Sequence, residues 1–190
     1  MSHKAVFFDR DGTMIELVHY LNKPEQVQLI EGTGPAIKKL RSAGYKVIAV
    51  TNQSAIGRGY STIEGLEEVH AVMMSQLAEH DTTIDGIYFC PVTSANQDRS
   101  AQEHPSRKPA PGMLIRGADE HDIDITQSWM VGDMNSDIYA GLNAGCKGNI
   151  LVRTGYGKEI EAKNDPKITT VVDDLPASVE LIMQQDGLSN

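Results

Sequence analysis

The chain alternates short runs of apolar residues with longer segments in which apolar residues recur every three or four positions. Short apolar runs that end at polar residues or glycine predict buried strands. The predicted strands are Ala5–Phe8, 46–50, 84–90, 129–131, 149–152 and a weaker one at 170–172. The longer segments between them are typical of helices that pack one face against a sheet.

Several helix starts can be read from capping signals. Ser61 and Glu64 are spaced as in a capping box, so we expect a helix to begin there. The other predicted starts are Pro35, the segment after Lys108-Pro109, about Ser136, and Pro176. Strands that alternate with helices predict the α/β class, with a Rossmann-like parallel sheet and helices on both of its faces.

Composition limits the organisation of the chain. A length of 190 residues with 40% apolar content is enough for one well-packed α/β domain, so residues 1–190 are predicted to form a single domain. The net charge of −9 is spread along the chain, whereas nucleic-acid binding needs clustered lysine and arginine. The two cysteines are too few for a disulfide framework, and no apolar segment is typical of a signal peptide or a membrane span. We therefore expect a cytoplasmic monomer that binds neither nucleic acid nor membrane.

Polar side chains cluster just beyond the ends of several predicted strands. Asp9 and Asp11 follow the first strand, and alternate residues of an extended chain point the same way. Two carboxylates in one small space raise each other's pKa unless a cation is present, which indicates either a metal ion or a shared proton. Ligands of parallel sheets bind beyond the carboxyl ends of the strands. Three further clusters are predicted to meet there: Thr51 with Asn52, Lys108, and Asp133 with Asp137.

Each cluster alone has a simpler interpretation. Asp9-Arg10-Asp11-Gly12 is compatible with an ordinary polar loop, and an isolated lysine such as Lys108 is typical of an exposed surface. The histidines in the predicted helices, His70, His80 and His121, are interpreted as surface residues. Only the combination of the four clusters favours a site for a phosphate ester, because such a site needs a nucleophile and cations around the phosphoryl oxygens.

Four motifs, in this order, resemble those of the haloacid dehalogenase superfamily of phosphohydrolases. They are Asp9-x-Asp11-Gly12-Thr13, Thr51, Lys108 before a helix, and Gly132-Asp133 with Asp137. The longer segments 9–13, 51–59 and 107–113 resemble the branch that acts on heptose 1,7-bisphosphate and histidinol phosphate. That branch lacks a large cap domain, which agrees with the length of this chain.

The resemblance implies a Mg²⁺-dependent phosphatase that works through an aspartyl-phosphate intermediate. Asp9 would attack phosphorus, and Asp11 would protonate the leaving alkoxide and later deprotonate the hydrolytic water. Mg²⁺ would be held by the Asp9 carboxylate, the Asp11 backbone carbonyl and Asp133. Asp137 would orient Lys108 or the water ligands of the ion.

The remaining implied roles concern binding of the phosphate ester. Thr51 and Lys108 would stabilise the transferring phosphoryl group. Other predicted contacts to phosphate or substrate are the backbone amides of Asn52, Gln53 and Ser54, and Tyr20. The side chains of Arg58 and Arg107 are expected either to bind a second phosphate or to face water, because arginine suits anions but is also common on surfaces.

These roles predict a small phosphorylated metabolite as the substrate. The first hypothesis is removal of the 7-phosphate from a heptose bisphosphate, and the alternative is hydrolysis of histidinol phosphate or another small ester. A phosphotransferase would need a cap that excludes water. A polynucleotide 3′-phosphatase would need a basic surface, and a non-catalytic binding protein would be expected to have lost Asp9 or Asp11.

The segment 91–107 is polar and irregular, and it replaces a zinc-binding loop of the branch that it resembles. The positions that correspond to the four zinc ligands hold Cys90, Val92, His104 and Ser106. Only two of these could bind zinc, whereas a structural site needs four nitrogen or sulfur ligands. We therefore predict that the protein has no structural zinc and that the loop at 94–102 is mobile. Because this loop flanks Lys108, we also expect the enzyme to accept a broader range of phosphate esters than a relative whose loop is held by zinc.

Overall fold

Six parallel strands form one sheet in the computed structural model, which describes residues 2–94 and 101–188. In chain order they are β1 (Ala5–Phe8), β2 (Lys46–Asn52), β3 (Gly86–Cys90), β4 (Trp129–Gly132), β5 (Gly148–Val152) and β6 (Val171–Val172). Their order across the sheet is β3-β2-β1-β4-β5-β6, and every neighbouring pair is parallel. The predicted α/β class with a parallel sheet is confirmed.

Seven helices accompany the sheet in the described part of the chain. They are α1 (Thr33–Ser42), α2 (Ser54–Gly57), α3 (Ile63–Ala78), α4 (Gly112–Glu120), α5 (Asn135–Ala144), α6 (Gly157–Glu161) and α7 (Leu175–Gln185). None of the helices among residues 2–94 and 101–188 is long and apolar enough to span a membrane.

The sheet is covered on both faces, which explains why its strands are apolar runs rather than alternating patterns. All four residues of β1 are buried. Val6 and Phe8 belong to a core cluster that also contains residues of α1, α3 and α7, whereas Ala5 and Phe7 belong to a second cluster with residues of α4 and α5. Alternate side chains of β1 therefore pack into the two core clusters on opposite faces of the sheet.

The helix boundaries differ from the predicted ones in a few places. The N-cap of α3 is Thr62, whose hydroxyl accepts the Gly65 amide at 3.1 Å, so the predicted cap at Ser61 is wrong by one residue. Helix α1 begins at Thr33 rather than Pro35, and proline is tolerated there because amides of the first helical turn have no partner within the helix. The short helices α2 and α6 were not predicted, because a single turn has no period to detect.

The strand order places a topological switch point at the centre of the sheet. From β1 the chain continues to β2 and β3 on one side, and β4 begins the other side. Crossovers therefore diverge between β1 and β4, which leaves a crevice at their carboxyl ends. Asp9 directly follows β1, and Asp133 directly follows β4.

Candidate functional site

Two adjoining cavities open at the carboxyl ends of β1, β2 and β4. The smaller, about 190 Å³, is lined by residues that include Asp9, Thr51, Lys108 and Asp133. The larger, about 480 Å³, is lined mainly by residues 17–21 and 52–58. Asp11 lines both cavities, so it lies where they meet.

Lys108 is buried in the smaller cavity, with 3% of its surface exposed. Its Nζ lies 2.5 Å from Asp9 Oδ1 and 2.8 Å from Asp137 Oδ1, and it donates to the Val50 carbonyl at 2.8 Å. Burial alone would lower the pKa of Lys108, but the two carboxylates outweigh it and raise the pKa above its usual range. The side chain is therefore a permanent positive charge beside Asp9, and the surface interpretation of an isolated lysine does not apply.

The Asn52 side chain positions the Lys108 backbone. Its amide nitrogen donates to the Lys108 carbonyl at 3.0 Å, and its oxygen accepts the Lys108 N–H at 3.1 Å. Because these two bonds join β2 to the segment before α4, they place Lys108 relative to the sheet. The sequence suggested only a phosphate-binding amide for Asn52, so this contact is an addition.

Three buried carboxylates have ligand oxygens within 4.8 Å of one another: Asp9, Asp133 and Asp137. Burial, together with mutual repulsion, raises the pKa of Asp9 to about 7 and that of Asp133 to about 8. Asp133 Oδ2 accepts the Tyr156 amide at 2.8 Å, but Asp133 Oδ1 is buried without a hydrogen-bond partner among the described residues. A hard divalent cation fits this arrangement, because it would satisfy the orphaned oxygen and allow both carboxyls to ionise.

Two glycines allow the backbone to approach Asp133 closely. Gly12 and Gly155 both have positive φ, at 83° and 54°. A Cβ atom at either position would overlap the Asp133 carboxylate. The Gly12 turn is further fixed by Thr154, whose hydroxyl donates to the Gly12 carbonyl at 2.6 Å. The loops after β1 and β5 therefore close around the carboxylate cluster.

Asp137 lies in the first turn of α5, with its side chain buried. Its Oδ2 accepts the Met134 amide at 2.9 Å, while its Oδ1 contacts Lys108. The acceptor bond at the helix N-terminus is a normal capping contact. Asp137 thus contacts Lys108 and also belongs to the carboxylate cluster, so both supporting roles suggested for it stay predictions.

The Asp11 carboxylate has a different set of partners from the other aspartates. It accepts hydrogen bonds from Arg10 Nη2 at 2.8 and 2.9 Å, from Thr51 Oγ1 at 3.1 Å and from Gln53 Nε2 at 3.0 Å. Burial would raise the pKa of Asp11, but the charge of Arg10 and these donors outweigh it and hold the pKa below its usual range. The close carboxylate partners of Asp9 are thus Asp133 and Asp137, not Asp11.

Residues 51–54 differ in part from their predicted use. The Gln53 amide, predicted to contact phosphate, instead donates to the Cys90 carbonyl at 2.7 Å as part of the β2–β3 ladder. The Gln53 side chain donates to both Asp11 and Thr51. Ser54 begins α2 and accepts a hydrogen bond from Arg107 Nη1 at 3.0 Å. A glutamine side chain reaching back two residues along a strand end has no sequence signature.

The predicted second-phosphate residues line the larger cavity. Arg58 is exposed at its rim, and Arg107 is held by Ser54 and by the Val92 carbonyl at 2.7 Å. Tyr20 has an unusual φ of 54°, and its ring contacts those of His19 and Tyr60 with centroids 4.2 and 4.9 Å away.

Two residues near Asp11 were not predicted to have a role. Arg10 is 1% exposed, and His70 of α3 is half-buried with Nε2 3.0 Å from Arg10 Nη1. The surface interpretation of His70 is therefore wrong. The only available signal was that an arginine stands between two aspartates, because the contact of His70 depends on how α3 packs.

The segment that replaces the zinc loop is partly described. Cys90 Sγ lies 3.9 Å from His104 Nδ1, and the Ser106 amide donates to the same nitrogen at 3.2 Å. Val92 packs against the second core cluster. Four zinc ligands are not present at these positions, so the described residues do not fit a tetrahedral site. The mobility predicted for 94–102 falls largely on residues 95–100, which lie outside the described part of the chain.

Comparison with known proteins identifies the family. Residues 105–178 match a family model described as HAD-hydrolase-like. The chain is 40% identical over 176 residues to the D-glycero-β-D-manno-heptose-1,7-bisphosphate 7-phosphatase of Haemophilus ducreyi, covering 92% of this chain and 96% of that protein. It is 41% identical over 153 residues to the protein of the same name from Haemophilus influenzae, covering 80% and 83%.

A solved structure agrees with this assignment. The D,D-heptose 1,7-bisphosphate phosphatase of B. bronchiseptica, complexed with magnesium and phosphate, superposes with a TM-score of 0.84 and 32% identity. The alignment covers 96% of this chain and 99% of that chain. The chain therefore belongs to the haloacid dehalogenase (HAD) superfamily of phosphatases, in the family of the heptose-1,7-bisphosphate 7-phosphatases.

Proposed function

We propose that this phosphatase removes the 7-phosphate from a heptose 1,7-bisphosphate through an aspartyl-phosphate on Asp9. The observation that carries the proposal is the buried set of Lys108, Asp133 and Asp137 around Asp9 at the switch point of the sheet. The substrate follows from the names of the relatives, each of which is similar over most of this chain.

Asp9 and Asp133, with the Asp11 carbonyl, would hold Mg²⁺, as the raised carboxyl pKa values and the orphaned Asp133 oxygen support. When bound, the ion supplies positive charge that keeps these carboxylates ionised and offsets the charge of the phosphoryl oxygens.

The residues of the chain divide the reaction into two displacements. An Asp9 oxygen attacks phosphorus, the bond from phosphorus to the sugar oxygen breaks, and the leaving alkoxide takes a proton from Asp11. Water then attacks the same phosphorus, gives its proton to Asp11, and the bond to Asp9 breaks, which releases phosphate. Lys108 holds Asp9 Oδ1 throughout and provides fixed positive charge beside the reacting group.

Asp11 has to be protonated for the first displacement and ionised for the second. Its four hydrogen-bond contacts favour the ionised form, which is the form that accepts the proton of water. An incoming phosphate dianion favours protonation of the same carboxyl, because a neighbouring negative charge raises its pKa. The two protonation states thus correspond to the substrate-bound and the later stages of the cycle.

The larger cavity favours a substrate with a second anionic group. Arg58 and Arg107 both line it, and the cavity adjoins the one that contains Asp9. An arginine pair suits a phosphate, whereas the positively charged amine of histidinol phosphate would be repelled. A sugar bisphosphate could therefore place one phosphate at Asp9 and the other near the two arginines.

Phosphate release from a substrate panel tests this proposal. The panel contains heptose 1,7-bisphosphate, heptose 7-phosphate and histidinol phosphate, each with and without Mg²⁺. We expect the highest kcat/KM for the bisphosphate, and a roughly tenfold or larger loss for it alone in Arg58→Ala, the typical effect of removing a charged contact. Arg116→Ala, an exposed arginine of α4 that lines neither cavity, is the matched control. Preference for histidinol phosphate would favour the alternative substrate.

We also propose that residues 1–190 act as one domain, as a cytoplasmic monomer without structural zinc. The single sheet of the described residues and the incomplete ligand set at Cys90, Val92, His104 and Ser106 support the first and last of these points. Size-exclusion chromatography with light scattering would test the monomer, because a dimer doubles the measured mass.

A further inference from the structure

Arg10 is the only arginine among the fully buried side chains of the described residues, and it stands between the two aspartates of the active-site loop. Arginine is almost never fully buried unless it is paired. Taking a guanidinium out of water is costly, and its contacts repay that cost only if they are well made. The partners of the Arg10 guanidinium should therefore show the role of this buried side chain.

The guanidinium joins α3 to Asp11. Its Nη2 donates to both Asp11 carboxylate oxygens, at 2.8 and 2.9 Å, and its Nη1 lies 3.0 Å from His70 Nε2. Its Nε has no hydrogen-bond partner among the described residues, although the atom is buried. A buried donor without a partner costs free energy, so this placement is not explained by stability alone.

His70 is suited to accept the Arg10 hydrogen bond. Burial, assisted by the charge of Arg10, lowers the pKa of His70 to about 4, so the ring is neutral at ordinary pH. A neutral imidazole with its proton on Nδ1 presents Nε2 as an acceptor. The ring also lies against Phe89 of β3, with centroids 6.4 Å apart. Helix α3 therefore fixes the position of the imidazole, and the imidazole fixes one end of the guanidinium.

We propose that Arg10 is a positioning residue for Asp11 and that His70 of α3 holds Arg10 in place. The inference rests on the acid and base roles proposed for Asp11. Two of the four hydrogen-bond contacts to the Asp11 carboxylate come from Arg10. The other two, from Thr51 and Gln53, both reach the same oxygen, Oδ2. Without Arg10 the carboxylate can turn about its side-chain bonds, and proton transfer to the leaving group loses its geometry.

We expect the rate of Asp9 phosphorylation to fall by a factor that depends on the leaving group of the substrate. Attack by Asp9 does not need Arg10, whereas protonation of a sugar alkoxide does, and a nitrophenolate needs little protonation. In Arg10→Gln we expect single-turnover phosphorylation of Asp9 by a sugar phosphate to fall roughly 100-fold, the lower end for general acid catalysis. Phosphorylation by nitrophenyl phosphate should fall less than about fivefold, and KM should change little.

Variants of His70 supply a second and independent readout. His70→Gln keeps an acceptor for Arg10 and should retain most of the wild-type rate, while His70→Leu should show the leaving-group dependence of Arg10→Gln. Because both act through one contact, Arg10→Gln/His70→Leu should be no slower than Arg10→Gln alone. His80→Leu is the matched control, since His80 is exposed and lines neither cavity. If Arg10→Gln does not fold, the His70 series still decides the question.

If Arg10→Gln or His70→Leu slows phosphorylation of Asp9 equally for sugar phosphate and nitrophenyl phosphate, the proposal is wrong. It is also wrong if the double variant is slower than Arg10→Gln by the full factor that His70→Leu shows alone. Asp11→Asn separates this result from a failure of the proposed function. If Asp11→Asn itself shows no leaving-group dependence, the acid role of Asp11 is wrong. If Asp11→Asn shows it and the Arg10 and His70 variants do not, only the positioning role is wrong.

Discussion

Replacement of Lys108 by methionine tests the electrostatic organisation of the site. The substitution keeps an unbranched apolar stem but removes the cation that contacts Asp9, Asp137 and the Val50 carbonyl. All of these groups lie in a buried part of the chain, so solvent does not readily replace the lost charge. We expect both a less stable protein and a much slower enzyme.

The size of the stability loss follows from the cost of an unpaired buried charge. Removing one partner of a buried ion pair costs about 3–5 kcal/mol. Asp9 can relieve part of this cost by taking up a proton, so we expect about 3 kcal/mol at pH 8. For a chain of 190 residues this corresponds to roughly 6–12 °C in Tm. The activity should fall roughly 100- to 1000-fold, the range for loss of one preorganised donor at a transition state.

The stability loss should depend on pH in a direction set by Asp9. Burial and the neighbouring carboxylates raise the pKa of Asp9 from 3.8 to about 7, and Lys108 restrains that rise. A carboxyl with a raised folded-state pKa lowers stability progressively as the pH climbs from its unfolded pKa to its folded pKa. Without Lys108 the folded pKa moves higher still. The difference between variant and wild type should therefore be largest above about pH 8 and smaller at pH 5.

Thermal unfolding at pH 5 and pH 8, with a chelator present, measures this directly. Lys38→Met is the matched control, because Lys38 is half exposed and pairs only at the surface with Asp81, so its loss should be under about 1 kcal/mol. Equal Tm values for wild type and Lys108→Met at pH 8, or a deficit as large at pH 5 as at pH 8, would contradict the electrostatic role of Lys108.

Three further predictions concern other parts of the chain. Asp11→Asn should slow single-turnover phosphorylation of Asp9 by a sugar phosphate roughly 100-fold and that by an aryl phosphate much less, and equal losses in this first displacement would contradict the acid role. Metal analysis should find no stoichiometric zinc, because Cys90 and His104 are only two ligands; about one zinc per chain would contradict this. Asp85→Asn should lower stability by about 1.5–3 kcal/mol at pH 7, the value of hydrogen bonds to a charged group, because Asp85 accepts from Arg41, Lys46 and the Val47 amide. Those bonds hold the Asp85 pKa below its usual value of 3.8 against the effect of burial, so the difference should begin to shrink as the pH falls below about 4 and be lost once the pH is below the folded-state pKa. A difference that stays constant throughout acid unfolding would argue against this role.

Most of the fold was accessible from the sequence because parallel strands buried on both faces are nearly continuous apolar runs. β1 and β4 are examples, since every residue of each is buried. The aspartates that follow them could be placed at one edge of a sheet from the parallel arrangement alone. The single-turn helices α2 and α6 could not be predicted from the sequence, because they lack a repeating pattern.

The details of the site depend on side-chain directions that the sequence does not specify. Asp9 and Asp11 are alternate residues, yet Asp9 faces Asp133 while Asp11 turns to Arg10. The Arg10 contact with His70 joins residues 60 positions apart and requires the packing of α3 against the sheet. The same is true of Asn52, whose side chain holds the Lys108 backbone across 56 positions. Residue types at strand ends were predictable, whereas their partners required the tertiary structure.

The reaction of heptose 1,7-bisphosphate with wild-type enzyme and with Asp9→Asn in the presence of Mg²⁺ tests both the proposed substrate and the proposed nucleophile. Phosphorus NMR identifies the product, and a phosphate assay gives the rate. We predict that the wild type releases one phosphate and leaves heptose 1-phosphate, and that Asp9→Asn retains the fold but less than about 1% of the rate, since an amide cannot act as the nucleophile. Heptose 7-phosphate as the product, or substantial turnover by Asp9→Asn, would contradict the proposed reaction.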